Sequence, residues 1–262
     1  AANGPVLALI SGGGSALLPA SALGITLAEK ALVNTALLGA GLDITKMNLV
    51  RQQLSRIKGG GLLRAAAPHH VTALILSDVI GDDLSAIASG PTVAPLGNKR
   101  DAVRILKQAA IWDQMPASVQ THLRGQDVPQ TLPAADNILV GSNAMSVAAM
   151  ARAARAATVL PAPVEGDVAD AARLICDQAA NGVTLWGGET TVKLRGAGRG
   201  GRNQELALRI ALEAQGRGWR DWTCLQAGSD GRDGPTDAAG GIVDQRTLGR
   251  IAATGRDLAQ LL

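Results

Sequence analysis

The 262-residue sequence contains no phenylalanine and no tyrosine, and four tryptophans are its whole complement of large aromatic side chains. Ordinary usage supplies many of each, and nothing in the physics of a packed core forbids them. The sequence also opens almost directly on an apolar strand. Together these features predict that the sequence is part of a longer protein, so motifs carry more weight than distances along the chain. Cysteine is nearly absent as well. Cys176 and Cys224 stand in apolar contexts without metal-ligand spacing, which reads as two buried, reduced thiols in a cytoplasmic protein. No apolar run approaches 18 residues, and no basic segment precedes a short apolar one at the start, so neither a membrane span nor a signal peptide is expected. The formal charge is only +3 and the basic residues are scattered, which argues against a nucleic-acid surface. What remains is 47% apolar residues, mostly Ala, Leu, Val and Ile, with 32 glycines. This is the texture of a helix-rich α/β protein with many turns.

The most informative stretch comes early. Val6–Ile10 is a continuous apolar run, expected as a strand buried on both faces. It leads into Ser11, Gly12, Gly13, Gly14 and Ser15 and then into the start of a helix. Three glycines remove every Cβ from the turn, so backbone N–H groups can converge on an anion beside a helix N-terminus. A tight strand-to-helix turn without a ligand is the alternative. No Lys-Ser or Lys-Thr follows, so this is not a Walker A loop, and the third glycine of a dinucleotide fingerprint is missing.

Helices are expected over 26–40, from 44 toward the glycines at 59–61, and over 100–108, 117–123, 143–157 and 169–178. In the second of these, Arg51, Ser55 and Lys58 fall at helical spacing on one face that ends at three glycines, a second set of anion contacts or a solvated stripe. A strand over 71–76 delivers Ser77-Asp78 and Gly81-Asp82-Asp83 to its carboxyl end, where open α/β sheets bind ligands. Such acids hold Mg²⁺ beside phosphates, act as a general base, or cap the next turn. A third strand over 138–140 leads to Ser142 and Asn143, placed either to touch a ligand or to form a turn and cap. The texture changes near residue 181. There Val183–Trp186 reads as a strand, followed by Glu189 and Thr190, a further strand over 192–194, and a loop carrying Arg195, Arg199 and Arg202 among glycines. Asn203 opens the next helix. Arginines among glycines before a helix N-terminus suit an anion. A last strand over 223–226 opens onto Asp230, Asp233 and Asp237, whose spacing lacks the glycine placement and final glutamate of a calcium loop. The three histidines, His69, His70 and His122, read as surface residues.

Taken together, these stretches resemble one family, the bacterial and archaeal glycerate 2-kinases of MOFRL type, long labelled hydroxypyruvate reductases. The resemblance is carried by residues 9–18, 54–60, Ser77-Asp78 with 81–83, and 88–92. It continues through 187–191, 198–203, and Asp230 with Asp233 and Gly234. It implies two Rossmann-like α/β domains with the active site in a cleft between them, in this chain residues 1–180 and 181–262. The implied reaction is ATP- and Mg²⁺-dependent phosphorylation of D-glycerate to 2-phosphoglycerate by a cytoplasmic phosphotransferase, with a homodimer allowed. The family also carries an upstream Gly-x-Gly-Lys-Ala segment and an aromatic-rich C-terminal strand, neither of which is in this sequence. On this reading Ser11–Ser15 hold a carboxylate or phosphate with Arg51 and Lys58, and Arg199 and Arg202 clamp the transferring phosphate. Asp78 or Asp82 holds Mg²⁺ or accepts the hydroxyl proton, while Asp230 and Asp233 contact metal or substrate. Two other readings stay open: a nicotinamide-dependent hydroxypyruvate reductase, and a non-catalytic sensor of phosphorylated sugar acids.

Overall fold

The structure, a computed structural model, describes residues 4–127, 131–193, 199–256 and 258. The chain packs into two compact units, 1–142 and 143–262. The first is built on three parallel strands, β1 (Val6–Ile10), β2 (Val71–Leu76) and β3 (Ala135–Gly141), in the order β1-β2-β3. Val6 lies opposite Val71, and Val71 opposite Ala135. Between β1 and β2 run α1 (Gly14–Leu17), α2 (Leu27–Gly39), α3 (Ile44–Gln53) and α4 (Gly61–Ala66); between β2 and β3 run α5 (Lys99–Gln108) and α6 (Ala117–Arg124). Ala8, Val71, Ala73 and Ile75 form the inner sheet face against Leu63 and Ala66 of α4 and against Ile87. The other face is not covered among the described residues. Leu7 is 63% and Leu9 76% exposed, and Leu76, Ile138 and Val140 are exposed beside them. The expectation that β1 is buried on both faces is therefore corrected. An unbroken apolar run has no alternation from which a one-sided covering could be read.

The helices of this unit gather a second core. Thr26 and Glu29 form a reciprocal cap at the start of α2, and Asn98 and Asp101 do the same for α5. Val33 and Leu37 of α2 pack with Val50, Leu54, Leu106, Val119 and Trp112. Each fully buried aliphatic chain contributes on the order of 1.5–3 kcal/mol. Arg124 places its guanidinium 5.3 Å from the centre of the Trp112 ring. α3 stops at Gln53, so Arg51, Ser55 and Lys58 do not share a helix face as the spacing predicted. The Ser55 hydroxyl accepts hydrogen bonds from the N–H groups of Ile57 and Lys58. Such local side-chain bonds compete with the helix, and Ser55 bridges to Ser21 instead. His122 is half-buried rather than on the surface, and its Nε2–H donates to the Gln53 carbonyl at 2.9 Å.

The second unit contains α7 (Asn143–Ala153), β4 (Thr158–Val159), β5 (Val164–Asp167), α8 (Val168–Gln178), β6 (Thr184–Leu185), β7 (Gly188–Thr191), α9 (Arg202–Gly216), β8 (Thr223–Ala227), β9 (Gly240–Asp244) and α10 (Thr247–Ala253). β4 pairs with β6 and β5 with β7, both parallel, while β8 and β9 are antiparallel. Val168, Ala171, Ala172 and Ile175 of α8 meet Leu206, Ala207, Ile210 and Ala211 of α9 in one core that also buries Cys176 and Cys224. Burial pushes the Cys176 thiol up to about 11 and raises that of Cys224. Residue 181, where the sequence texture changes, falls between α8 and β6 and so inside this unit. β7 stands just ahead of the strand expected over 192–194, whose last residue lies outside the described residues.

Candidate anion-binding site

β1 ends at Ile10 and hands the chain to Ser11, Gly12, Gly13, Gly14 and Ser15. Gly13 caps α1 at φ 77°, a left-handed conformation natural to glycine. The flanking glycines answer to protein neighbours. A Cβ at Gly12 would collide with the Asp78 carboxylate, and one at Gly14 would stand 2.9 Å from the Cβ of Ala88. The loop's glycines thus make room for Asp78 and Ala88, a requirement the sequence did not reveal. The N–H groups of Gly12, Gly13 and Ser15 donate to no acceptor among the described residues.

Beneath this loop lies Lys58, only 3% exposed. Its Nζ donates to the Ser15 carbonyl at 2.9 Å, to Ser89 Oγ at 3.3 Å and to the Ala88 carbonyl at 3.5 Å. Ala88, Ser89 and Gly90 are consecutive left-handed residues, with φ of 50°, 60° and 68°. For non-glycine residues this costs on the order of 1–2 kcal/mol each. The strain is held by bonds to the Ser89 carbonyl from Gly59 N and from Gln52 Nε2, and by Gly60 N to the Gly90 carbonyl. Ser89 Oγ stands 2.6 Å from Ser15 Oγ and 3.3 Å from Asn48 Oδ1.

The electrostatics are one-sided. Lys30 donates to the Pro19 carbonyl and Arg51 Nε to Asn34 Oδ1 at 2.8 Å. Among the described residues, none of Lys30, Arg51 and Lys58 pairs with a carboxylate. Burial, with repulsion from Lys30 and Arg51, pushes the Lys58 ammonium down to about 8. Burial likewise lowers Lys30, which also feels Arg51, and Arg51 itself. Burying a cation without a counter-charge costs several kcal/mol. Lys58 is buried, and the half-buried Lys30 and Arg51 add to its positive surroundings rather than offset them.

Asp78, Asp82 and Asp83 follow β2. Asp83 caps the next turn, its Oδ1 accepting from Ser85 N at 2.8 Å. Asp82 sits at φ 56°. The carboxylates of Asp78 and Asp82 accept no hydrogen bond among the described residues and remain available. No group of three metal-ligating side chains occurs among those residues. Mg²⁺ needs no such cage, because one or two carboxylates and a substrate phosphate suffice. The donor chemistry of Asp78 and Asp82 fits that use.

In the second unit Arg202 and the start of α9 find their partners within the protein. Ser142 is buried at the end of the first unit, and Asn143 opens α7 with its side chain where a Cβ at Gly187 would stand. Arg202 pairs with Glu189 at 2.9 Å and reaches the Thr190 carbonyl at 3.4 Å. Asp233, 2% exposed, accepts from Asn203 N at 2.9 Å, Asn203 Nδ2 at 3.0 Å and Gln204 N at 2.8 Å. The N-terminus of α9, expected to be open to a ligand, is therefore occupied by the protein's own carboxylate. A Cβ at Gly234 would run into Gly200 and Gly201, so these glycines serve the packing of two loops. Arg199 is exposed, and Asp230 Oδ1 accepts from Arg232 N at 3.1 Å in a local turn. Residues 194–198, with Arg195, lie outside the described residues.

The fold thus joins Ser15 to Lys58 and Gly12 to Asp78 in one unit, and Glu189, Thr190, Arg202, Asn203 and Asp233 in the other. Lys30, Asn48 and Ser89 escaped sequence reasoning as site residues. Asn48 left a signal, since it and Gln52 form a polar i, i+4 pair inside an otherwise apolar helix face. Lys30 left none, because only the packing of α2 on α3 brings it near Arg51.

Residues 182–262 match the MOFRL family, and residues 1–124 match a domain of unknown function, DUF4147. A glycerate kinase of Macaca fascicularis is 38% identical over 98% of this chain and 79% of its own length. The chain belongs to the glycerate kinase family. The human glycerate kinase is 39% identical over 98% of the chain, which spans 60% of that relative's length. The crystal structure of a glycerate kinase from Thermotoga maritima superposes with a TM-score of 0.82 at 34% identity, over 98% of this chain and 64% of that one. The Thermotoga relative, 36% identical over 99% of this chain and 65% of its own length, is named a D-glycerate 2-kinase.

Proposed function

We propose that the chain carries a central part of the machinery of a glycerate 2-kinase, transferring phosphate from ATP to the 2-hydroxyl of D-glycerate. The observation that carries this reading is Lys58, buried beside a glycine loop, with the half-buried Lys30 and Arg51 as its charged neighbours and no carboxylate partner among the described residues. Phosphoryl transfer needs positioning and charge neutralisation more than covalent chemistry. The loop N–H groups of Gly12, Gly13 and Ser15, with Lys58 and Arg51 behind them, bind an anionic group, either the glycerate carboxylate or a nucleotide phosphate. Asp78 or Asp82 accepts the proton of the attacking hydroxyl or holds Mg²⁺. That ion, when bound, supplies charge neutralisation between phosphate oxygens. Arg202 and Arg199 face the transferring phosphate, and Glu189 keeps Arg202 in place until the ligand arrives. Asp233 holds Asn203 and the start of α9 rather than the ligand. We read the enzyme as built of two Rossmann-like α/β domains and located in the cytoplasm.

The test is ADP release from ATP with D-glycerate and Mg²⁺, with ³¹P NMR assigning the phosphorylated position. Release that depends on glycerate supports the kinase. Oxidation of NADH or NADPH by hydroxypyruvate without ADP release would replace it with a reductase. Within an active enzyme, Arg202→Ala should lower turnover by about 100-fold or more; unchanged turnover would remove Arg202 from the phosphate clamp.

A further inference from the structure

Ser89 Oγ is a junction with three polar neighbours and one hydrogen to give. It stands 3.3 Å from Asn48 Oδ1, 3.3 Å from Lys58 Nζ and 2.6 Å from Ser15 Oγ. An amide oxygen only accepts, and an ammonium only donates. The Ser89 hydrogen therefore goes to Asn48, and its two lone pairs take Lys58 and Ser15. Ser89 and Asn48 are both buried, so this polarity is set inside the protein. Gln52, one turn along α3 from Asn48, fixes the same residue by its backbone. Its Nε2 donates to the Ser89 carbonyl at 3.1 Å while its Oε1 accepts from Leu96 N at 2.8 Å. The consequence reaches the glycine loop, because Ser15 spends its only hydroxyl hydrogen inward. Ser15 is half-buried beside the exposed Ser11, Gly12 and Gly13, and no donor among the described residues reaches its Oγ. Toward a ligand it presents lone pairs alone. An ionised carboxylate or phosphate oxygen has no hydrogen to offer them, whereas a hydroxyl has one.

We propose that Asn48, acting through Ser89, makes Ser15 an acceptor toward the ligand, so that the glycine loop takes an acid bearing a hydroxyl near its carboxylate and not a nucleotide phosphate. This rests on the reading of the loop as an anion site and narrows it to glycerate. The N–H groups of Gly12 and Gly13 face the carboxylate, and Ser15 accepts from a substrate hydroxyl. Ser15 would touch the ligand; Ser89 and Asn48 are positioning residues.

The test compares D-glycerate with D-lactate, which lacks the 3-hydroxyl, and with 3-hydroxypropionate, which lacks the 2-hydroxyl. Binding is measured by calorimetry at pH 7, with Gly12 and Gly13 amide signals followed by NMR. All three acids carry one negative charge, so their affinity ratio isolates the hydroxyl. Wild type should bind glycerate about tenfold more tightly than one of the two analogues, the worth of one hydrogen bond. Ser15→Ala should bring that ratio to within about twofold. Asn48→Ala and Ser89→Ala each free the Ser15 hydrogen to turn outward. They should lower the ratio likewise and bind sulfate severalfold more tightly than wild type. Asn48→Asp, whose carboxylate still accepts, should keep the wild-type ratio. If Asn48→Ala does not fold, Ser89→Ala carries the same comparison. Equal ratios in wild type and Ser15→Ala would take the hydroxyl contact away from Ser15. A ratio unchanged in Asn48→Ala and Ser89→Ala, or lost in Asn48→Asp, would overturn the series. Wild type binding all three acids alike, with the loop signals moving, would overturn the proposal too. So would loop signals that move with a non-hydrolysable ATP analogue and not with glycerate. Loop signals that stay still with every probe would overturn the anion-site reading beneath it.

Discussion

The two charged regions of this molecule are built on opposite plans. In the first unit, Lys30, Arg51 and Lys58 gather without a carboxylate partner among the described residues and accept the electrostatic cost of doing so. In the second, Arg202 has Glu189, and the α9 N-terminus has Asp233. Both regions look alike in sequence, as glycine loops with basic residues before a helix. The difference teaches that arginines and glycines do not by themselves mark a ligand site. What separates the two regions after folding is whether the charge finds a partner within the protein.

The largest effect should come from breaking the compensated region. Asp233→Ala leaves two helix N–H groups and the Asn203 amide without their acceptor, and should cost about 3 kcal/mol of stability in urea unfolding. By contrast, Lys58→Met removes a buried uncompensated cation of similar volume, and its stability change should stay within about 1 kcal/mol. A loss as large as that of Asp233→Ala would mean that the Lys58 charge is compensated after all.

Alkali should separate the units in direction. The folded value for Lys58 is about 8 against an ordinary 10.5. Between these the unfolded chain holds a proton that the folded one has released, so the first unit gains stability as pH rises, by at most about 1.4 kcal/mol per pH unit. Cys176 moves oppositely, from an ordinary 9.0 to about 11. Above pH 9 its unfolded thiol ionises first, so the second unit loses stability. Urea titrations at pH 8 and pH 10, read on methyl signals of Val119 and of Ile175, should shift in opposite senses; parallel shifts would defeat the contrast.

Smaller effects sharpen the picture. Gly13→Ala should cost about 1 kcal/mol, because an L side chain resists φ 77°. Arg202→Gln, in an exposed ion pair, should change stability by less than about 0.5 kcal/mol, so that any large loss of turnover reports on function alone.

Much of this was legible in the residues. The apolar run of β1, the helices beginning near 26 and 100 and the glycine loop are local signals, and they fold as local chemistry dictates. What stayed hidden was non-local. Ser55 ends α3 by a side-chain bond that helical spacing cannot register, which moved Lys58 off the expected face. Asp233 caps a helix that begins about 30 residues before it, so in sequence it passed for a ligand contact. The glycines at 12 and 14 answer to Asp78 and Ala88, neighbours only in the folded chain.

The aromatic poverty of these 262 residues has an optical consequence. With no tyrosine, near-ultraviolet emission comes from tryptophan alone, and the first unit owns a single such chromophore, Trp112, buried beneath the Arg124 guanidinium. The other three, Trp186, Trp219 and Trp222, belong to the second unit's core margin. Replacing Trp112 leaves an emission spectrum that belongs wholly to the second unit. Subtracting that spectrum from the wild-type one gives each half of the molecule its own colourless label, already in place.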